Sequence, residues 1–229
     1  MTICAIHQPN FFPWGGYFDK IKRADVFIFL DEVAYPKSGS GAGSWCNRVK
    51  LLNSGKPSWY GLPIQRENGI QLIKTVSFTN KDYHLKKITK ALEYNYKKTK
   101  YYRELYPFIK SLLHYPAINL VEYNIHAITK LADFLGLSTH FVRQSELVHS
   151  KSSNELLIEL IKQVNADTYL SGNGSADYLE DKFFKQAGIE LIYQNQDPIN
   201  NFVHSLNIDQ EERSLSILHF LMMYYGEFL

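Results

Sequence analysis

Within fourteen residues near the start of the chain stand an imidazole, two amides, a phenol and an amine: His7, Gln8, Asn10, Tyr17 and Lys20, set among Pro9, Pro13, Gly15 and Gly16. An imidazole of ordinary pKa, about 6.5, can take a proton at neutral pH. Amides can donate to an oxygen on which negative charge develops. Proline and glycine impose the loop geometry needed to aim so many polar groups at one place. The plainer reading is that Gln8 and Asn10 satisfy loop backbone groups while Phe11, Phe12 and Trp14 fill the core. His7, Gln8 and Asn10 are candidate catalytic residues, and Asp31, which closes the next apolar run, joins them.

A second group follows Asp31: Tyr35, Lys37, Trp45, Asn47, Arg48 and Lys50. In an extended chain Arg48 and Lys50 share a face, offering a fork and a point charge to phosphate or carboxylate. A solvated basic strand edge anchored by Trp45 would carry the same residues. A third group is Ser171-Gly172-Asn173-Gly174-Ser175, with Tyr178 beyond it. Strand, glycine-rich turn and helix start together present backbone N–H groups to an anion. This turn matches neither the dinucleotide fingerprint nor the P-loop, and a simple tight turn accounts for it equally well. The candidate substrate-binding set is therefore Tyr17, Lys20, Tyr35, Lys37, Trp45, Asn47, Arg48, Lys50, Ser171, Gly172, Asn173, Ser175 and Tyr178.

These residues need a frame. Thr2 to Ile6 and Ala24 to Asp31 read as buried strands, with a broken loop and a short helix, Tyr17 to Arg23, between them. Such a unit puts His7 and Asp31 at the carboxyl edge of a parallel sheet, where ligands usually bind. Ser38 to Ser44 is a small-residue surface loop, and Pro57–Ile64 with Ile70–Phe78 reads as a hairpin joined by QRENG. From 80 to 135 the period becomes helical: Leu85, Ile88, Leu92 and Tyr96 form one face and Leu120, Asn124, Ile128, Leu131 and Leu135 another, with Asn119 as cap and Gly136 as stop. Strands at Thr139–Arg143, Asp167–Leu170 and Ile189–Tyr193 then alternate with helices from about Ser153 to Val164 and through Phe183, and a last helix covers Arg213–Tyr225. Ser152 and Glu155 have capping-box spacing, and Gly188 suits a helix end. The expectation is one α/β domain over 1–229: a mostly parallel, Rossmann-like sheet with a flanking β-hairpin and a helical subdomain inserted at 80–135.

Composition narrows the function. The chain has 229 residues, 45% hydrophobic, with a formal charge of +2, which excludes a disordered or collagen-like chain and gives no strong polyanion-binding signal. Lys81 to Lys110 is the exception, with nine Lys/Arg against three Asp/Glu and interleaved tyrosines; most such runs are solvated helix faces, though RNA could use one. No run approaches the roughly 20 apolar residues of a membrane helix, and the start lacks the pattern of a secretory signal, so the cytoplasm is the expected compartment. Two cysteines, Cys4 and Cys46, and eight scattered histidines suit neither a disulfide framework nor a metal site, and the residues do not say which cofactor, if any, is used. Cys46 stands near Arg48, which would lower a thiol pKa, but it is not chosen as a nucleophile.

AIHQPNFFPWGGYFDKIKRADVFIFLDEVAYPK, WCNRVK, YLSGNGSADYL and SLSILHFLMMYYG resemble the WbqC-like family, bacterial proteins associated with O-antigen and other surface-polysaccharide gene clusters. The resemblance runs almost end to end. It implies transfer of a small acyl group such as glycine onto an amino sugar, and it points to His7, Gln8, Asn10, Tyr17, Lys20, Asp31, Lys37, Asn47, Arg48 and Ser171 as site residues. SGSGAG stands as an insertion after Lys37, and Cys46 replaces an expected glutamine, which argues against a family nucleophile there. A fainter likeness is to nucleotidylyltransferases of the HIGH superfamily, whose His-x-Gly-His turn is replaced here by Trp14-Gly15-Gly16-Tyr17; both histidines are absent.

The expected function is thus an amide-forming transferase acting on a nucleotide-linked amino sugar, with a charged transfer RNA as one candidate donor and no DNA or membrane partner. His7 would be the base, Gln8 and Asn10 the donors to the carbonyl oxygen, and Arg48, Lys50 and the Ser171–Ser175 turn the anion holders. The alternatives are an ATP-using nucleotidylyltransferase-like enzyme and a non-catalytic sugar-nucleotide or RNA-binding module.

Overall fold

The computed structural model describes residues 1–36, 44–172, 174, 179–194, 208–209 and 211–227. Along the chain run β1 (Ile3–His7), α1 (Gly15–Arg23), β2 (Val26–Phe29), β3 (Arg48–Asn53), β4 (Lys56–Gly61), α2 (Lys81–Tyr96), α3 (Tyr102–Leu113), α4 (Leu120–Phe134), β5 (His140–Arg143), α5 (Ser153–Gln163), β6 (Thr168–Ser171), α6 (Asp181–Gln186), β7 (Glu190–Tyr193) and α7 (Ile217–Tyr224). Five strands form one sheet in the order β5-β2-β1-β6-β7, every neighbouring pair parallel. The chain works outward from β1 in one direction, then returns to start the other half at β6. The order therefore reverses between β1 and β6, the place beyond whose carboxyl ends open parallel sheets usually receive ligands.

Period-two alternation sorts the sheet into two cores. Ala5, Phe27, Phe29 and Leu170 face α1, α4 and α7, packing with Tyr17, Phe18, Ile21, Ile128 and Phe220. Cys4, Ile6, Ile28 and Tyr169 face the other way, against Leu156, Leu160 and Ile161 of α5 and Phe184 of α6. Near-continuous apolar strands are what burial on both faces requires.

The hairpin differs from the sequence expectation. It pairs β3 with β4 from Arg48↔Gly61 to Asn53↔Lys56. Ser54 and Gly55 make the two-residue turn, both at positive φ (51° and 80°), which matches the right-handed twist of the strands. Pro57–Ile64 and Ile70–Phe78 share only the single bridge Ile64↔Phe78. Ile73 and Val76, three apart and both buried, instead bracket a single 3-10 turn, Ile73–Thr75. The apolar spacing there is three, not two, and a strand would have put one of the pair in water.

Helix ends follow local chemistry. Asn119 accepts from the backbone N–H groups of Val121 and Glu122, and Gly136 follows α4 at φ 67°. Ser152 precedes α5 as expected but makes no side-chain cap bond. The last helix starts later than its periodicity suggests. Ser216 caps it by accepting from Leu218 N, while its own hydroxyl donates to the Phe12 carbonyl, so the cap fastens α7 to the loop after β1.

Candidate functional site

The loop after β1 is nailed down from three sides. Phe11 N donates to the Trp45 carbonyl, Ile217 N donates to the Pro13 carbonyl, and the buried Asn124 amide of α4 donates to the carbonyls of both Pro9 (2.8 Å) and Cys46 (2.7 Å). A loop so held fixes the direction of His7 at its root.

His7 points to the α1 side of the sheet. Its ring meets Tyr17 edge-on at 4.9 Å between centroids and Trp14 at 5.7 Å. Nδ1 lies 3.1 Å from the Gln8 carbonyl, which also accepts the Tyr17 hydroxyl at 3.0 Å. A carbonyl can only accept, so Nδ1 carries the hydrogen and Nε2 keeps its lone pair. Burial, then the nearby Lys20 charge, pull the His7 pKa down to about 3. The imidazole is neutral at physiological pH, which corrects the premise of an ordinary histidine.

Lys20 belongs to the same corner. It is 5% exposed, and burial lowers its pKa to about 8, partly offset by the Asp19 carboxylate. A Cβ built on Gly172, just past β6, would lie 3.4 Å from its Nζ. Gln194, after β7, donates through Nε2 to the Gly16 carbonyl and to Asp19 Oδ2 (2.7 Å), tying α1 to the far half of the sheet. His7, Tyr17, Lys20, Ser171 and Gly172 therefore gather at the β1/β6 reversal.

On the opposite face, at the same sheet edge, lies a cleft of about 520 Å³. Its walls are the apolar Ile6, Leu30, Val33, Leu156 and Leu179 with the polar His7, Gln8, Ser153, Asn154 and Tyr169. His7 and Gln8 are common to cleft and corner.

Other expected site residues stand apart. Asn10 is 2% exposed, and its Oδ1 takes the Cys46 thiol at 3.5 Å. Tyr35 donates to Asn47 Oδ1 (2.7 Å), which also accepts from Ser44 N, while Asn47 Nδ2 donates to the Leu62 carbonyl. These side chains fasten the loop to segment 44–47. Cys46 is buried, and burial pushes its pKa up to about 12, so its thiol stays protonated. Asp31 accepts Ser145 N (2.9 Å) and Ser145 Oγ (2.6 Å), joining the ends of β2 and β5. Lys37, Asn173, Ser175 and Tyr178 lie outside the described residues.

Arg48 and Lys50 do share a face of β3, both over the Trp59 ring, at 4.1 and 5.8 Å from its centroid. Lys50 also donates to Ser214 Oγ at 2.7 Å. Trp59 meets Trp45, and Trp45 meets Trp14, at centroid distances of 4.5 and 4.8 Å, so a file of rings connects this basic face to His7. Sequence reasoning offered Trp14 only as a core filler, and Trp14 does pack against the core; it did not single out Asn124, Gln194, Ser153 or Asn154. Asn124 was detectable as an amide within an apolar helical stripe, whose burial demands partners. Gln194 carried no local signal, because its partners are on α1, 175 and more residues away.

A five-stranded parallel sheet with helices on both faces, and with His7, Tyr17, Lys20, Ser171 and Gly172 at its strand-order reversal, defines an α/β protein. The chain belongs to the WbqC-like protein family, whose profile matches residues 8–227. It is also 27% identical over 204 residues to the uncharacterized protein Rv1507c of Mycobacterium tuberculosis, covering 88% of this chain and 86% of that one. No solved structure matches it.

Proposed function

We propose that this protein forms an amide on an amino sugar carried by a nucleotide, transferring a small acyl or aminoacyl group in the building of a bacterial surface polysaccharide. The family resemblance supplies that expectation. The observation that supports it best is a neutral His7 on the cleft wall, its Nδ1 hydrogen committed to the Gln8 carbonyl so that Nε2 carries the lone pair.

An amino sugar arrives as an ammonium ion and must lose a proton before nitrogen can attack. Nε2 takes that proton. The nitrogen then bonds to the carbonyl carbon of an activated ester, the bond to the leaving group breaks, and the leaving group departs with the electron pair and takes up the second proton that nitrogen sheds as the amide forms. A pKa of about 3 makes His7 a weak base in the empty site, and a negatively charged substrate beside it and Lys20 raises that value toward the working range. Gln8, on the cleft wall, serves the developing oxyanion, while Asn10 shapes the loop.

The test is amide formation followed by mass spectrometry, with nucleotide-linked amino sugars as acceptors and an aminoacyl ester, including charged transfer RNA, as donor. The expected result is a product heavier by the acyl group that depends on His7. Consumption of ATP with release of pyrophosphate would favour adenylyl transfer instead, and ligand binding with no product would favour a binding module.

A further inference from the structure

Two ionisable neighbours on α1 are both buried, and they are treated differently. Asp19, 0% exposed, accepts the Gln194 amide at 2.7 Å and has Arg23 Nη1 at 3.7 Å, so its charge is answered. Lys20, 5% exposed, takes part in none of the hydrogen bonds or ion pairs among the described residues. An ammonium removed from water without a partner is costly, and proteins normally supply a counter-charge or coordinating oxygens. With Asp19 matched to Arg23, the corner keeps a surplus positive charge.

Its position says what the charge is for. Nζ reaches from α1 to the end of β6, where a Cβ on Gly172 would stand 3.4 Å away, and Gln194 Oε1 lies 3.6 Å from the same point. The absence of a side chain at 172 lets the Lys20 ammonium come close to the chain at the end of β6. The reversal between β1 and β6 is also where an open parallel sheet receives ligands. A lysine is a point charge on a flexible stem that binds phosphate without a fixed fork geometry, and a multiply charged phosphoryl group answers it more strongly than a singly charged carboxylate.

We propose that Lys20 forms the seat for one phosphoryl group of the substrate, beside Gly172 where the strand order reverses between β1 and β6. This deepens the reading of the same site as one for a nucleotide-linked sugar, and phosphate binding is measurable without any turnover.

Thermal unfolding of the purified chain is followed with sodium pyrophosphate, inorganic phosphate and acetate at matched ionic strength. Pyrophosphate and phosphate raise the melting temperature and acetate does not, since a ligand bound only by the native state must stabilise it. Lys20→Met loses the response, and without anion it melts at or above the parent, because a buried charge only partly offset by Asp19 has been removed. In the unaltered chain, acetylation of Lys20 by acetic anhydride, read by peptide mass spectrometry, slows at least severalfold with pyrophosphate. The inference falls if Lys20→Met keeps the pyrophosphate shift, if acetate equals phosphate, or if Lys20 labelling is indifferent to pyrophosphate. Phosphate seated on Lys20 with no amide product would sink the transferase alone. Amide formation unaffected in Lys20→Met would sink this seat alone.

Discussion

Two polar clusters flank the loop after β1, and they use similar residue types to opposite ends. In one, Asn10, Tyr35, Ser44, Cys46 and Asn47 bond to one another and to backbone. In the other, His7 keeps an unshared lone pair and Lys20 a charge without a bonded partner among the described residues. The first cluster spends most of its bonding capacity on itself and on backbone, so it holds the chain in place. The second has capacity left over, and leftover capacity in a buried place is what a ligand can complete. Residue type nominates a site, and satisfaction of its hydrogen bonds and charges decides.

The sharpest break in that comparison would come from His7. His7→Ala is expected to lower amide-forming turnover roughly 10²–10⁴-fold, the usual worth of a positioned base, with the fold retained. Turnover equal to the parent's would return His7 to the architectural side. Asn124→Ala belongs wholly to that side: it orphans the carbonyls of Pro9 and Cys46 and should cost about 3 kcal/mol in urea unfolding. Tyr35→Phe removes one donor to Asn47 and should cost about 1 kcal/mol by the same measurement.

Acid and base titration separate the clusters further. The folded pKa of Lys20, about 8, lies below its unfolded value near 10.5, so the unfolded chain binds more protons between the two. Stability attributable to Lys20 therefore rises from pH 8 to 10.5, and the difference between the parent and Lys20→Met should narrow over that window; an unchanged difference would mean that Lys20 is not desolvated. The same sign holds for His7, whose contribution falls as pH drops from 6.5 toward 3. The smallest effect is expected at Cys46. Its thiol, pushed up to about 12, should resist Ellman's reagent at pH 8 in the folded chain and react on unfolding.

Much of the frame could be read in advance. The apolar runs at β1 and β2 announce strands buried on both faces, and the α4 stripe, with its Asn119 cap and Gly136 stop, announces its own ends. The hairpin was misplaced because its signal was divided. RVKLLN alternates under a heavy charge load and SG makes a compact turn, whereas the more apolar stretch Ile70–Phe78 bends at a spacing of three. Asn10, Asn47 and Asp31 were equally eligible for chemistry on residue type, and their partners at Cys46, Tyr35 and Ser145 show them bonded within the protein.

Sequence alone determined what is local or periodic: the alternation that makes the sheet two-faced, the turns and caps, the dense polar loop after β1, and the WbqC-like motifs within it. Tertiary structure alone decided that β1 and β6 are neighbours, that Gln194 reaches back to Asp19, and that Lys20 meets Gly172. Those contacts join residues about 150 or more positions apart. A residue's type and near neighbours set what it can bond, whereas burial and distant partners set whether that bond is already made. Charge, protonation and ligand capacity follow the second.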